Sequence, residues 1–315
     1  MGYLFGPVNS RRLGLSLGVD LLPAKICNYD CLYCEVGKTL RLTCDRREYV
    51  PTRAVIAELK DYLAEVTSGR LARPDYITIT ASGEPTLHAG IGEVIRFIKS
   101  ETDFQVAVLT NGSTFADLQV RLDLLAADLI IPSLDSARLE SFVEVNRPAP
   151  CCVSLEEMIG GLADFGEEFG GEVWLEVLLV KDVNDGAADL EQLRAAVALI
   201  KPDRLQLNTV VRPPAEDRAK PMEQGRLLEI ARSFSGTFVE IIAEFPENRF
   251  RKEREAAGYE IFEMLQRRPC THQDICQALG MEPSAVTKII NELSETARIR
   301  ETIYDGRTYY QSTKR

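Results

Sequence analysis

Three cysteines, Cys27, Cys31 and Cys34, lie within eight consecutive residues in the spacing Cys-x3-Cys-x2-Cys. Thiolates hold iron–sulfur clusters, and a [4Fe–4S] cluster takes one protein ligand for each iron. Three ligands on one loop therefore leave one iron free to bind an exchangeable molecule. The spacing predicts a [4Fe–4S] site with one open iron.

Two other interpretations of these cysteines stay open on the residues alone. A closed structural zinc site needs a fourth ligand, and Cys44 follows the loop closely enough to supply one. Alternatively, the three thiols are buried packing residues, although such residues rarely fall together on one short loop.

The cysteine loop resembles that of the radical S-adenosylmethionine (SAM) superfamily. In that family the open iron binds the amino and carboxylate groups of SAM. The reduced cluster cleaves the sulfonium to methionine and a 5′-deoxyadenosyl radical, which abstracts hydrogen from a substrate. The resemblance implies a [4Fe–4S] cluster and SAM as cofactors, and it implies that Tyr33, just before the third cysteine, packs on the adenine.

The segment Ala81-Ser82-Gly83-Glu84-Pro85-Thr86-Leu87 follows an apolar run and is similar to the Gly-Gly-Glu-Pro segment of that superfamily. Ser82 stands in place of the first glycine. A small residue and Gly83 let the backbone approach a ligand closely, and the Glu84 carboxylate can accept hydrogen bonds from the SAM ammonium group. Taken alone, the same residues would form an ordinary turn into a helix.

Polar residues also follow the next two strand patterns, Asn111 after one and Ser133 and Asp135 after the other. The resemblance implies that these side chains reach the SAM ribose and carboxylate, and that Arg147 pairs with the carboxylate. The alternatives are local, because Asn-Gly is a common turn and Ser or Asp often caps a helix. An exposed loop position would suit Arg147 equally well.

Strand and helix patterns alternate over residues 1–246. Apolar runs typical of buried parallel strands occupy residues 16–22, 75–80, 105–110, 128–133, 172–180 and 204–211. Helical periodicity occupies residues 52–66, 91–100, 115–126, 155–169, 190–200 and 222–234. Six β/α units predict an α/β fold, a partial (β/α)6 TIM-like barrel with its site at the carboxyl ends of the strands.

A polar, basic stretch at residues 247–254 indicates a linker to a small C-terminal domain at residues 255–315. Helical patterns and a hairpin with an Asp-Gly turn occupy residues 259–266, 271–279, 283–293 and 299–311. Three helices and a hairpin resemble a winged helix-turn-helix domain, which suggests nucleic acid first. However, the third helix offers only Lys288 as a cation, so specific duplex DNA is disfavoured. We expect this domain to bind a protein or peptide, or to pack on the barrel.

The chain of 315 residues carries a formal net charge of −11 and contains eight cysteines. No run of about 18 apolar residues and no signal-peptide layout occurs, so we expect a cytoplasmic protein with no membrane partner. In a reducing compartment the cysteines are expected to be ligands or buried thiols, not disulfides. We expect Cys270 and Cys276 to be core residues. The sequence leaves open whether Cys44, Cys151 and Cys152 hold an auxiliary cluster.

Five basic residues follow the cysteine loop: Lys38, Arg41, Arg46, Arg47 and Arg53. The sequence leaves open whether they bind an anionic substrate, bind a redox partner or contact only water. The opening of the chain, from Phe5-Gly6-Pro7 to Leu21-Leu22-Pro23-Ala24-Lys25, resembles a subgroup of radical SAM proteins near the wyosine synthases of tRNA. That resemblance covers about residues 1–245. The extra cysteine set of the wyosine synthases does not precede Cys27.

Two functions follow from these features. The favoured one is a radical SAM enzyme that takes electrons from flavodoxin or ferredoxin and modifies a macromolecule, either a peptide or protein or a tRNA. The alternative is an iron–sulfur transcription regulator that senses redox state or SAM and uses the winged helix. The several SAM-facing segments favour the enzyme, because a sensor needs the cluster but no adenosyl pocket.

Overall fold

The computed structural model describes residues 2–10, 12–80, 82–243 and 257–313, so the predicted linker at residues 247–254 lies outside the described residues. The strands are β1 Leu4–Ser10, β2 Gly14–Val19, β3 Ile26–Cys27, β4 Arg41–Leu42, β5 Tyr76–Ile79, β6 Gln105–Thr110, β7 Leu129–Pro132, β8 Glu172–Leu179, β9 Arg204–Thr209, β10 Val239–Ile241, β11 Cys270–Thr271, β12 Ile299–Tyr304 and β13 Arg307–Ser312. The helices are α1 Thr52–Thr67, α2 Ile91–Glu101, α3 Leu118–Leu124, α4 Leu139–Asn146, α5 Leu155–Glu168, α6 Ala187–Ile200, α7 Gln224–Ser233, α8 Ala257–Arg267, α9 His272–Leu279 and α10 Pro283–Glu295.

The main sheet has eight strands in the order β1-β2-β5-β6-β7-β8-β9-β10. Every neighbouring pair is parallel except the β1–β2 hairpin. The central strands are apolar on both faces, as β6 shows with Val106, Ala107 and Val108 all fully buried, because helices cover a parallel sheet. The predicted α/β class with a mostly parallel sheet is confirmed.

All six predicted strands and all six helices of this region occur, with ends shifted by a few residues. Sequence periodicity missed β1, the short strand β10 and the helix α4. The sheet therefore holds seven parallel strands rather than the six that the β/α units predicted. Three residues, all half-buried, are too few for β10 to show a period.

A small C-terminal unit, residues 257–313, packs beside β1. Its helices α8, α9 and α10 enclose a separate core that includes Ile261, Ile275 and Val286. The strands β11, β13 and β12 form an antiparallel sheet against them. The helix α9 begins in a capping box formed by Thr271 and Asp274, in which each side chain accepts from the other's backbone N–H.

The C-terminal unit reaches both sides of the opening in the main sheet. On one side, Asn9 of β1 donates through Nδ2 to the backbone oxygen of Gln277, 2.8 Å away. On the other, the Tyr309 hydroxyl donates to the backbone oxygen of Val211, just after β9, at 2.6 Å. Within the described residues the two edge strands, β1 and β10, do not pair with each other. The C-terminal unit contacts β1 at one edge of the sheet and the segment after β9 near the other.

A search of the described residues finds no helix whose length and apolar character would let it cross a membrane.

Candidate active site

A cavity of about 430 Å³ opens at the carboxyl ends of the parallel strands. Its wall includes residues that directly follow β5, β6, β7 and β9: Thr80, Asn111, Ser133 and Val210. A cavity of this size lies in the range of small-molecule and cofactor sites. The location agrees with the predicted one, since parallel strands deliver their loops to one end of the sheet.

All three predicted metal ligands, Cys27, Cys31 and Cys34, line this cavity. Backbone hydrogen bonds fix the loop that carries them: the Leu32 N–H donates to Val145 O at 2.9 Å, and the Cys27 oxygen accepts from Thr43 N at 3.0 Å. Leu32 is fully buried and anchors the centre of the loop. The loop is therefore held from two sides, by α4 and by the segment that follows β4.

Burial raises the pKa of Cys27 to about 12 and raises the pKa of Cys31 as well. Both sulfurs lie near an amide donor, with Asn111 Nδ2 3.6 Å from Cys27 Sγ and Asn146 Nδ2 3.5 Å from Cys31 Sγ. Among the described residues, no three His, Cys, Asp or Glu side chains are already gathered closely enough to hold a metal ion. The sulfurs share one cavity, and binding a metal would draw them together and release their protons.

Gly83 lies where no other residue fits. A Cβ at this position would lie 1.7 Å from the backbone oxygen of Ile26, the residue before Cys27. The neighbouring Glu84 N–H donates to the same oxygen at 3.0 Å. The glycine therefore lets the strand end after β5 pack directly against the cysteine loop. This close approach, together with the soft thiol set, fits the predicted cofactors.

Ser82 also lines the cavity, where its hydroxyl donates to Asp20 Oδ2 at 2.7 Å. Asp20 is buried, and its other oxygen accepts from the backbone N–H groups of Ser82 and Leu22. The end of β2 thus holds the predicted SAM segment in place.

Glu84 is buried at the cavity wall and makes contacts that its predicted role did not anticipate. Its carboxylate accepts four hydrogen bonds, from the backbone N–H and hydroxyl of Thr86, the hydroxyl of Thr110 and the backbone N–H of Asn111, at 2.6–3.0 Å. A carboxylate has about four acceptor sites. Three of these bonds are made to Oε1 and one to Oε2, so Glu84 ties the strand ends after β5 and β6 together.

Asn111 and Ser133 both line the cavity, as their positions after β6 and β7 predicted. The Asn111 amide donates to Asn28 Oδ1 at 2.8 Å, and its own oxygen accepts from the Ser113 backbone N–H at 3.0 Å. Asn111 is thus aligned between the cysteine loop and the turn that follows β6.

Tyr33 lines the cavity, and its hydroxyl donates to Asp135 Oδ2 at 2.5 Å. Asp135 is buried behind the wall, where it also accepts from Asn146 Nδ2 at 2.6 Å and from Leu178 N at 2.9 Å. Burial raises the pKa of Asp135 to about 6. Asp135 does not itself line the cavity, and its carboxylate orients Tyr33.

Arg147 does not line the cavity. It caps the end of α4 with a left-handed backbone (φ 47°), and its guanidinium forms two hydrogen bonds to Glu216, at 2.5 and 2.7 Å. The structure therefore gives Arg147 a carboxylate partner within the protein and does not bring it to the cavity wall with the other predicted site residues. The sequence offered no sign of Glu216, which lies 69 residues further on.

Several charged and amide residues of the cavity wall were not predicted as site residues: Arg12, Asp20, Lys25, Glu176, Asn208, Arg212, Arg267 and Arg268. Arg12 donates to Glu176 Oε2 at 2.5 Å, which places an ion pair across the cavity from the cysteines' own loop. Arg267 is the last residue of α8 and Arg268 follows it, so the C-terminal unit forms part of the wall. Arg12 and Lys25 belong to segments that the resemblance already quoted, but the others carry no sequence signal.

The basic residues after the cysteine loop do not form one surface around the cavity. Arg46 donates to Asp123 at 2.5 Å and to the Thr86 backbone oxygen at 3.1 Å. Lys38, Arg41, Arg47 and Arg53 are exposed. Arg47 lies with its guanidinium 4.9 Å from the centre of the Tyr49 ring.

The expectation that the chain has no disulfide is wrong, since Cys44 and Cys151 are joined in one. Their loops meet because each bonds to the backbone of the cysteine loop, through Thr43 and Ala149. A sequence separation of 107 residues hid this pairing. Cys44 and Cys151, two of the three cysteines considered for an auxiliary cluster, are therefore bonded to each other. Cys270 and Cys276 are buried in the C-terminal core, as predicted.

The fold and the site define a class of α/β protein in which a triplet of cysteines and a glycine-bearing strand end share one cavity. The chain belongs to the radical SAM superfamily, whose family model, described as "Radical SAM superfamily", matches residues 21–193.

Relatives of the chain extend this family assignment. It is 35% identical over 240 residues to a UPF0026 protein of Helicobacter pylori (strain J99), covering 76% of this chain and 75% of that protein. It is 28% identical to UPF0026 protein MJ1312 of Methanocaldococcus jannaschii, covering 98% and 96%. A Brachyspira hyodysenteriae protein named GTPase Obg is 35% identical over 96% of this chain, which spans only 44% of that protein.

Solved structures share the fold. A radical SAM methyltransferase from Sphaerobacter thermophilus superposes with a TM-score of 0.55 at 17% identity, covering 72% of this chain and 66% of that one. SuiB from Streptococcus suis, bound to its precursor peptide SuiA, gives a TM-score of 0.52 at 15% identity over 71% of this chain and 48% of that one. At these identities the likeness is one of fold alone.

Proposed function

We propose that the protein is a radical SAM enzyme with a partial barrel, in which Cys27, Cys31 and Cys34 hold a [4Fe–4S] cluster and the adjoining cavity binds SAM. The observation that carries the proposal is the meeting of the three cysteines with Ser82, Gly83, Asn111 and Ser133 on one cavity wall. When bound, the cluster supplies the electron that cleaves SAM reductively to methionine and a 5′-deoxyadenosyl radical.

The chain's own residues prepare the cavity for this chemistry. Asp135 fixes the hydroxyl of Tyr33, so the tyrosine ring is held at the wall where an adenine would pack. Glu84 locks the two strand ends that present backbone groups to the cavity. Because these groups are already hydrogen-bonded, little reorganisation is needed when a cofactor binds.

The C-terminal unit supports the idea of a protected radical site. Met264 and Arg267 of α8, with the following Arg268, complete the wall of the cavity, so this unit limits the access of water and substrate. Excluding water protects reactive intermediates from side reactions. We propose that this unit is a winged-helix domain that shapes a substrate entrance and docks a peptide, protein or tRNA rather than reading duplex DNA.

The substrate and the electron donor belong to the same proposal. The opening segments of the chain resemble a subgroup near the wyosine synthases, which favours a macromolecular substrate, with flavodoxin or ferredoxin as the donor. The cations Lys38, Arg41 and Arg53 after the cysteine loop are exposed, so each is accessible to such an acidic donor.

Turnover without substrate tests the proposed function. Oxygen-free, iron-reconstituted protein is mixed with dithionite and SAM, and 5′-deoxyadenosine and methionine are measured by chromatography. Slow formation of both is expected, and the Cys31→Ala variant serves as the inactive control. If SAM stays intact while electron paramagnetic resonance shows a reduced cluster, the protein is a sensor and the proposed enzyme is wrong.

A further inference from the structure

A second group of sulfurs lies beside the cysteine loop but outside the cavity wall. The third sulfur of this group, Cys152 Sγ, is 3.7 Å from Cys44 Sγ of the Cys44–Cys151 disulfide. Cys151 is exposed, whereas Cys44 and Cys152 are half-buried. A free thiol thus lies in contact with one end of a disulfide whose other end is open to solvent.

We propose that Cys44, Cys151 and Cys152 form a thiol–disulfide exchange site that is opened by small dithiols. In the internal step, the Cys152 thiolate attacks Cys44 Sγ, a Cys44–Cys152 bond forms, and the Cys44–Cys151 bond breaks. Cys151 leaves as a thiolate and takes up the proton that Cys152 has lost. This step needs no oxidant or reductant, because the number of disulfides is unchanged.

The exposed sulfur of Cys151 is the entry point for reduction. A dithiol that attacks Cys151 forms a mixed disulfide and expels Cys44 as a thiolate. The second thiol of the reagent then displaces Cys151 and closes the reagent into its own disulfide. Two electrons and two protons pass to the protein, and all three cysteines of the site are then free thiols. Exposed disulfides are the ones most often labile, regulatory or catalytic.

The site is linked to the cysteine loop through the backbone of Cys27 and Asn28. The segment before Cys44 holds the loop through the hydrogen bond from Thr43 N to Cys27 O at 3.0 Å. The segment before Cys152 holds it through Ala149 N to Asn28 O at 2.8 Å, and the Cys152 thiol lies 3.4 Å from the same oxygen. The disulfide joins these two segments around the loop, so reducing it loosens their hold.

The linkage to the cluster rests on the proposed function, whereas the exchange chemistry does not. Its consequence is that reduction of the disulfide should speed the loss of iron from the loop. The thiol chemistry and the iron loss are read out separately, so a failure of either one can be assigned.

The test uses the full-length protein under nitrogen. Protein without metal is equilibrated with mixtures of reduced and oxidised dithiothreitol, alkylated with N-ethylmaleimide, and mapped by peptide mass spectrometry. Cys44 and Cys151 are expected to lose their alkylation together as the mixture becomes oxidising. The deciding variant is Cys151→Ser, in which Cys44 and Cys152 should form a disulfide because their sulfurs already touch. The double variant Cys151→Ser/Cys152→Ser is its control, and it should keep Cys44 alkylated.

Free alkylation of Cys44 and Cys152 in oxidised Cys151→Ser would overturn the exchange site. Tight binding of zinc by the reduced wild type, lost in Cys152→Ser, would also overturn it, because the sulfurs would then be a metal site. In the reconstituted protein, reduced samples should lose iron to a chelator several-fold faster than oxidised ones. If thiol exchange occurs in a protein that binds no iron, the exchange site is supported and the proposed function is wrong.

Discussion

Arg267 of the C-terminal unit and Asp20 at the end of β2 form an ion pair, with Nη1 2.9 Å from Oδ2. Both side chains are largely buried, at 15% and 8% exposure. The guanidinium carbon of Arg267 also lies 3.7 Å from the centre of the Phe5 ring, a cation–π contact. Since Asp20 accepts from Ser82, one arginine links the C-terminal unit to the predicted SAM segment.

Replacing Arg267 by Met should weaken SAM binding about tenfold, which corresponds to about 1.4 kcal/mol. The change leaves Asp20 buried without its cation, and Asp20 then holds Ser82 less well. SAM affinity is measured by equilibrium dialysis of the reconstituted protein, alongside its iron content, which should not change. Arg300→Met, at an exposed position of β12, is the matched control. Equal affinities in the two variants would contradict a role for the ion pair in the SAM segment.

Replacing any one of Cys27, Cys31 and Cys34 by Ala should abolish the charge-transfer absorbance of the reconstituted cluster, because each supplies one iron ligand in the proposed site. Wild type should bind about four iron atoms per chain. Cys270→Ala should keep the absorbance, since Cys270 is buried in the separate C-terminal core. Iron content and absorbance spectra are measured for each variant. An intact spectrum in Cys31→Ala would rule out the three cysteines as the cluster ligands.

Gly83→Ala should disrupt the junction between the strand end after β5 and the cysteine loop. The added Cβ meets the Ile26 backbone oxygen at 1.7 Å, and backbone cannot move aside as a flexible side chain does. Lowered thermal stability and a loss of SAM binding are expected. Gly160→Ala within α5 is the matched control, because nothing lies within 4 Å of its new Cβ. That change should stabilise the protein by up to about 1 kcal/mol. Equal melting temperatures for the two variants would argue against the junction.

His88, which follows the short 3-10 helix Pro85–Leu87, should make stability depend on pH. Burial lowers its pKa below the ordinary 6.5. Its Nδ1 accepts from Gly90 N at 3.1 Å, and Nε2 lies 2.8 Å from the Val50 oxygen, so the neutral ring fits the fold. As the pH falls below 6.5, His88 of the unfolded chain binds a proton, whereas the lowered pKa keeps the ring neutral in the folded protein.

The contribution of His88 to the free energy of unfolding should therefore be complete above pH 6.5. It should decrease as the pH is lowered below 6.5. One such proton accounts for up to about 1.4 kcal/mol per pH unit. Urea unfolding at pH 7.5 and at pH 5.5 measures the slope for wild type and His88→Gln. The variant should be less stable but less sensitive to pH, and parallel slopes would exclude His88 as the cause.

The regular part of the fold could be predicted because its information is local. Continuous apolar runs such as Leu129–Pro132 and amphipathic helices such as Ile91–Glu101 show their patterns within a few residues. The strand β1 carries no such signal, since six of its seven residues are only half-buried. It forms because the chain turns back at Gly14, which has a left-handed backbone (φ 65°), to pair with β2.

The site residues could be predicted only where they directly follow a strand of the parallel sheet. Asn111 and Ser133 reached the cavity because parallel strands place their carboxyl ends together. The contributions of Asp20 and Arg267 depend on how a C-terminal helix packs against an N-terminal hairpin, at a sequence separation of 247. The pair of Arg147 with Glu216 could not be predicted for the same reason, because the two residues are distant in sequence.

The contact of β1 with the C-terminal unit has a consequence for synthesis. A ribosome releases the first strand long before residues 257–313, and domains fold as the chain emerges. Until then the outer edge of β1 has none of the cover that α8 and α9 later provide through Arg267 and Gln277. An uncovered sheet edge is a template for pairing with other chains. A nascent chain, or one cut before residue 257, is thus exposed to aggregation at β1 until residues 257–313 cover that edge.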